Sequence, residues 1–375
     1  MIYLKVLNIL TSRLNYNGIG MSLLNYYNNI NNKDIQLDYL VPNVVEDKLK
    51  KQFTTKKNNI FEFDYHGKKL HQRRPLLFCL KLYKLLKKEH YDIVHVHGSS
   101  SLMFLQLLTA KIAGVKVRIA HSRNTETDHK LINKLFRPLF NISYNVAFSC
   151  GKEAGEWLFG KNKKFILVPN GKNSKMFSYN EESRKKYRKK YNLDNKIVLG
   201  HIGNFNYQKN HEFLIKVFNQ LYKKNNNYFL ILAGSGELED KIKSMAIEMN
   251  IESNILFLGQ IPVEQVAELL NAMDIMLFPS RFEGFPNVLI EWQMNGLPCV
   301  ISDKITKDVK VTDLVYFESI DSCKKWVDKV ENIKLIDRSI YKKTIINEIK
   351  TSGYDIEENA KMLEHEYIKL YNNAK

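Results

Sequence analysis

Along its whole length the 375-residue chain alternates short, β-branched apolar runs with longer segments of helical spacing. Runs without polar alternation mark strands covered on both faces, and strands separated by helical segments must pair in parallel. In the first half the predicted strands are Leu4 to Thr11, Ile35 to Val41, Ile60 to Phe63, Ile93 to His97, Val115 to His121, Val146 to Cys150 and Phe165 to Pro169. The second half repeats the pattern at Ile197 to Gly203, Tyr228 to Ala233, Ile255 to Leu258, Ile275 to Pro279, Cys299 to Ser302 and Leu314 to Phe317. Two similar sheets predict an α/β chain of two Rossmann-like domains, residues 1–175 and 176–354. The stretch Asn170 to Asp194 is rich in Asn, Ser, Lys and Tyr and begins at the turn Pro169-Asn170-Gly171, so it is expected to be the linker. No repeat at a fixed period points to a solenoid.

Bulk properties narrow the class. At 44% hydrophobic content the chain is too apolar for disorder and long enough for two cores. Lys5 interrupts a short apolar start, which predicts neither a signal peptide nor a membrane span and makes the cytoplasm the expected location. Cys79, Cys150, Cys299 and Cys323 lack metal-ligand spacing and are expected to be reduced. A net charge of +17 calls for an anionic partner. The basic residues of Lys48 to Lys57, Lys68-Lys69, Arg73-Arg74 and Lys81 to Lys88 flank Pro75-Leu76-Leu77-Phe78, a mixture that suits an anionic membrane surface better than a groove for bases. With no zinc finger, RNP pattern or basic zipper, nucleic acid is not an expected partner.

The segment with most chemistry is Glu283-Gly284-Phe285-Pro286-Asn287-Val288-Leu289-Ile290-Glu291, which follows a predicted strand. Pro286 suits the first helical position and Gly296 the stop, so Glu283 falls in the loop and Glu291 one turn beyond Asn287. Free amides near residues 285 to 287 would join two carboxylates that accept from sugar hydroxyls. A glutamate on a helix, or before a glycine, is ordinary in isolation. The combination Pro279-Ser280-x-x-Glu283-Gly284-Phe285-Pro286, Glu291 and Gly296-Leu297-Pro298 resembles the donor-site signature of retaining GT-B glycosyltransferases, in particular family 4. That resemblance implies two Rossmann-like domains facing across a cleft, with the segment 355–375, apolar at helical spacing, packing back on the first domain.

It also implies roles. Glu283 would read the donor sugar, Glu291 the ribose, and Lys209 would balance the diphosphate as the leaving group departs. Gly203 to Asn210 resembles the family's Gly-Arg-…-Lys loop, with Asn204 standing where many members carry arginine. Asparagine brings no charge and no guanidinium fork, so either Arg281 or Arg123 approaches the diphosphate or activity is low. Gly234 and Gln260, after two further strands, match segments that edge the nucleotide. In the first half, Asn17-Gly18-Ile19-Gly20 precedes a helix whose amides could meet phosphate, but it lacks the third glycine of a dinucleotide fingerprint. Asp38 lies inside its strand, not at the end where a dehydrogenase needs an acid.

His97 and His121 end predicted strands and are expected to orient a sugar hydroxyl or exchange a proton. Arg123 and Asn124 are acceptor-side candidates, and relatives often carry histidine where Arg123 aligns. His95 is expected to point opposite to His97 and to pack. No Asp-x-Asp or His/Cys pattern suggests a metal, so neither metal nor cofactor is expected. The chain is thus identified as resembling a metal-independent, hexosyltransferase-type enzyme that uses a nucleoside diphosphate sugar, with UDP the expected nucleotide. Its acceptor would be a polysaccharide, a lipid-linked sugar or a protein, on the inner face of the cell membrane. Two alternatives stay open: a GT-B sugar-nucleotide epimerase, and a catalytically weak sugar-nucleotide-binding protein.

Overall fold

The computed structural model describes residues 4–15, 18–55, 58–65, 68–125 and 130–374; Asn17, Lys56 and Lys57 of the motifs above lie outside them. The chain divides into two compact units, Met1–Gly171 with Ile356–Lys375, and Lys172–Asp355.

In the first unit the strands are β1 (Leu4–Leu10), β2 (Ile35–Val41), β3 (Ile60–Glu62), β4 (Asp64–Tyr65), β5 (Lys68–Lys69), β6 (Ile93–Gly98), β7 (Val117–Ser122), β8 (Val146–Ser149) and β9 (Ile166–Leu167). All but β4 and β5 form a parallel seven-stranded sheet in the order β3-β2-β1-β6-β7-β8-β9. The second unit contains β10 (Ile197–Ile202), β11 (Tyr228–Ala233), β12 (Ile255–Phe257), β13 (Ile275–Phe278), β14 (Cys299–Ser302) and β15 (Val315–Glu318). These make a parallel six-stranded sheet, β12-β11-β10-β13-β14-β15. Every predicted strand is present within a few residues of its expected ends. The antiparallel ribbon β4–β5 was not expected, because its strands are two charged or polar residues long and show no apolar run.

Alternating residues of β1 serve opposite faces of the first sheet, as the pleat requires. Val6 packs with Tyr27, Tyr39, Phe53 and Tyr367 under the helices Gly18–Asn29 and Ile356–Ala374. Leu7 and Ile9 pack with Phe78, Leu82, Leu107 and Phe140 under the helices Pro75–Glu89, Phe104–Ile112 and Arg137–Ser143. The carboxy-terminal helix is therefore built into the first unit, and its Tyr367 hydroxyl lies 2.7 Å from His95 Nδ1. In the second unit Trp292 and Trp326, both fully buried, fill opposite faces of the sheet.

The expected linker is largely helical. Asn173 and Asn180 accept from backbone N–H groups as caps of the helices Ser174–Phe177 and Glu181–Lys190. The Asn-rich composition that read as a linker is capping chemistry, and the chain passes between units at Gly171/Lys172 and again at Asp355/Ile356. Arg184 and Arg188 of the longer helix reach Asp274, just before β13, at 2.7 and 3.1 Å, and Asp274 also accepts from the Val198 amide. Asp274 and Arg188 are each 8% exposed, so removing the carboxylate strands a buried guanidinium. Asp274→Ala is expected to lower the unfolding free energy by about 3–5 kcal/mol. Urea denaturation checks this, and a loss below about 1 kcal/mol would mean that the pair adds little.

Candidate active site

In the second sheet β10 and β13 are neighbours, and the chain winds outward from them in opposite directions. The loops that follow these two strands lie side by side at the carboxyl edge where ligands of such sheets bind, and the Arg281 amide of the second donates to the Gln208 carbonyl of the first at 2.8 Å. Lys209 comes from the first loop and Glu283 from the second, and their side chains meet with Nζ 2.7 Å from Oε1. Lys209 also stands over the Phe278 ring, 4.6 Å from its centroid. Its backbone amide donates to Asn206 Oδ1, and Asn210 adopts the left-handed conformation that turns the loop into the helix His211–Lys224.

Pro286 is the cap and not the first residue of the helix Asn287–Met294, one position from expectation, and Gly296 follows the end with φ of 78°. The Asn287 and Val288 amides have no backbone acceptor among the described residues, and the buried Asn287 Oδ1 also lacks a partner. Glu291, 7% exposed, is held by Lys172 with Oε1 and Nζ 2.5 Å apart. Lys172 sits where the chain enters this unit, and its amide donates to the Tyr354 carbonyl where the chain leaves it. Tyr354 in turn stacks on Phe285, ring centroids 5.4 Å apart. Both carboxylates singled out in the sequence are thus buried or partly buried, and each is matched by a lysine.

The remaining predicted residues divide. Gly234, at φ of 141°, lies so close to the preceding loop that a Cβ would fall 2.0 Å from the Gly203 carbonyl oxygen. Its smallness serves the approach of one loop to another. Asn204 and Gln260 are exposed, and Gly284 is exposed beside Glu283. Arg281 stacks on Tyr207, a residue 65% exposed, and donates to that residue's carbonyl. Lys172 is the additional cation that sequence reasoning missed, since nothing local links it to a residue so distant in the chain.

Gly18 and Gly20 begin the helix after β1, and a Cβ at Gly20 would meet the Asn15 carbonyl oxygen at 2.1 Å. His97 and His121 do not line an open surface as expected: they are 2% and 0% exposed. Nor does His95 point away from His97. Residues two apart on a strand share a face, and the two rings lie 4.1 Å apart. His95 Nε2 is 2.9 Å from His121 Nδ1, while His97 lies between Asn8 and Arg123. Although these imidazoles could be brought within reach of one metal ion, both nitrogens of His95 and of His97 already have partners, and the cationic Arg123 adjoins His97. The set is better suited to hydrogen bonding than to a cation. Asn124 is exposed, its side chain accepting from the Thr125 amide.

Burial holds all three imidazoles neutral, and it lowers His201 to about 4 and His211 to about 2, with the Lys209 ammonium adding to both. Their folded pKa values lie below the unfolded value near 6.5, so stability is complete above pH 6.5 and is lost as the unfolded chain takes up protons below it. For His201 the window runs from 6.5 down to about 4. Chemical denaturation across this range should show His201→Gln with a slope shallower by up to about 1.4 kcal/mol per pH unit. An unchanged slope would show that His201 titrates normally.

The family description "Glycosyl transferases group 1" matches residues 183–347, and "Glycosyltransferase Family 4" matches residues 16–171. EpsF of Bacillus subtilis (strain 168), described as a glycosyltransferase, is 30% identical over 98% of this chain and 96% of its own length. The Escherichia coli UDP-Gal:alpha-D-GlcNAc-diphosphoundecaprenol alpha-1,3-galactosyltransferase is 28% identical over 78% of this chain and 79% of its own. The crystal structure of Anabaena Alr3699/HepE in complex with UDP superposes with a TM-score of 0.71 at 15% identity, covering 99% of this chain and 98% of that one, so the fold is GT-B. With its two sheets and its paired glutamates, the chain belongs to the group 1, family 4 glycosyltransferases.

Proposed function

We propose that this enzyme moves a sugar from a UDP-sugar to a hydroxyl acceptor with retention at the anomeric carbon. The observation that carries the reading is the pair of lysine-matched carboxylates at the carboxyl edge of the second sheet. Lys209 exchanges Glu283 for the β-phosphate when donor binds, which frees Glu283 for the sugar hydroxyls. Glu291, oriented by Lys172, accepts from the ribose. The bond from the anomeric carbon to the diphosphate oxygen breaks as the acceptor oxygen bonds to that carbon on the same face, and the acceptor proton passes to the departing phosphate. A lysine and free helix amides offset the negative charge that develops there, so the reaction proceeds without a metal. Glu283→Ala and Lys209→Ala should each lower turnover at least about a hundredfold, with an EDTA-insensitive wild type and a product of retained configuration by NMR. Free epimer formed without acceptor would instead identify an epimerase, and acceptor-independent or absent nucleotide release would deny transfer.

We place the acceptor at a membrane, as a lipid-linked sugar in surface-polysaccharide assembly. The E. coli relative, whose acceptor is diphosphoundecaprenol-linked, supports this. So do the helices Pro75–Glu89, Phe104–Ile112 and Arg137–Ser143, whose inner faces share one core. Leu76, Leu80 and Ile142 on two of these helices, with Leu131 and Leu135 on the helix Lys130–Leu135, are 58–86% exposed, and the segments 70–88 and 130–145 contain lysine and arginine but no acid. No helix among the described residues is long and apolar enough to cross a membrane. Vesicles containing phosphatidylglycerol should pellet the protein, neutral vesicles should not, and salt should weaken the effect. Leu131→Ser with Leu135→Ser should reduce pelleting several-fold; unchanged pelleting would place the contact elsewhere.

A further inference from the structure

Arg123 directly follows β7, and every group its guanidinium meets is neutral. Its Nε donates to His97 Nδ1 at 3.2 Å, its Nη2 lies 3.0 Å from the same nitrogen, and its Nη1 donates to Asn170 Oδ1 at 2.9 Å. Asn170 Oδ1 is held by the Ser22 hydroxyl. His97 Nε2 lies 3.0 Å from Asn8 Oδ1, an acceptor, so the imidazole carries its proton on Nε2 and presents a lone pair to the arginine. Tyr26, Tyr367 and Cys150 also lie within electrostatic reach, and burial raises all three, so they are protonated at neutral pH. No carboxylate among the described residues forms an ion pair with Arg123.

A guanidinium stays charged in any protein, and a cation withdrawn from water is ordinarily matched by an anion. Elsewhere in this chain Arg184 and Arg188 pair with Asp274, Lys172 with Glu291 and Lys209 with Glu283. The buried Arg338 has no carboxylate partner among the described residues but donates from both terminal nitrogens to the oxygens of Asn295, Leu270, Asn271 and Met273. At Arg123 the matching charge is missing, and one N–H on each terminal nitrogen is left without a partner among the described residues. Two such N–H groups fit two oxygens of one carboxylate or phosphate. The place is also one where ligands bind: β1 and β6 are neighbours from which the first sheet winds outward in opposite directions, and Asn8, His97 and Arg123 come from β1, from β6 and from just beyond β7. Arg123 is partly buried, and the void beside it and the three imidazoles, about 10 Å³, has room for one water.

We propose that Arg123 is the centre of a subsite for an anionic group, a carboxylate or a phosphate, carried by a sugar substrate. His97, Asn8, Asn170 and Ser22 are its positioning residues. That the group rides on a sugar rests on the transferase reading; the anion subsite does not. Calorimetric titration of the full chain with D-glucuronate, inorganic phosphate and neutral D-glucose tests it. Wild type should bind glucuronate or phosphate saturably and glucose at least tenfold more weakly, the preferred anion naming the source. Arg123→Gln, which can keep a hydrogen bond to Asn170 or His97, should lose tenfold or more in anion affinity, and Arg123→Lys should lose several-fold for want of the fork. Lys224→Ala, at an exposed ion pair of the other unit, should bind the anion as wild type does. No anion binding by wild type, or equal binding by Arg123→Gln, overturns the proposal, as does binding lost in Lys224→Ala and kept in Arg123→Gln. A chain that transfers no sugar yet binds anions through Arg123 would sink the transferase reading and leave the subsite standing.

Discussion

The reversal of strand order at β10 and β13 is the constraint on which the second unit's chemistry depends. The chain leaves β10 toward one edge of the sheet and β13 toward the other, so the loops at their carboxyl ends meet only at this reversal, where the Arg281 amide donates to the Gln208 carbonyl. Polar groups placed there are half withdrawn from water and must be matched. Lys209 with Glu283 and Lys172 with Glu291 meet that requirement without consuming the capacity of either carboxylate to accept from hydroxyls. A ligand with an anionic diphosphate and neutral hydroxyls can take over the lysine and the carboxylate separately. A lone buried glutamate could not offer that exchange, because its charge would be too costly in the empty site.

Behind this edge a few identifiable contacts pack the second unit. Trp292 on the helix that carries Glu291 is fully buried and sits edge-on to Phe278, the ring beneath Lys209. One aromatic contact thus couples the supports of the two ion pairs. The Lys172 amide on the Tyr354 carbonyl, with Tyr354 stacked on Phe285, ties the entering and leaving segments of the unit to the same loop. Positioning within a few tenths of an ångström, which transfer chemistry demands, follows from packing of this kind more than from the ion pairs themselves.

Much of this was legible in the sequence, and the failures have physical causes. Buried parallel strands are visible because both faces select apolar residues, so β10 to β15 were all found. The ribbon β4–β5 was invisible for the opposite reason. Glu283 and Glu291 could be found because one turn and one helix carry both, whereas Lys172 and Asp274 were missed because their partners are close only after folding. The segment at 170–194 was misread because asparagine serves both loops and helix caps. His95 shares a face with His97 because side chains of a strand repeat every two residues, a relation already contained in the sequence. That His97 supports Arg123 instead of facing open solvent needed the Asn8 contact, which no local pattern announces.

The central claim, that Glu291 and its Lys172 form the nucleoside half of the donor site, is tested most directly by calorimetric titration of wild type and Glu291→Gln with UDP alone. The account predicts that UDP binds wild type and that the variant, whose amide cannot replace the charged acceptor, binds it about tenfold more weakly, a loss of about 1.4 kcal/mol. Equal affinity in the two proteins would contradict it.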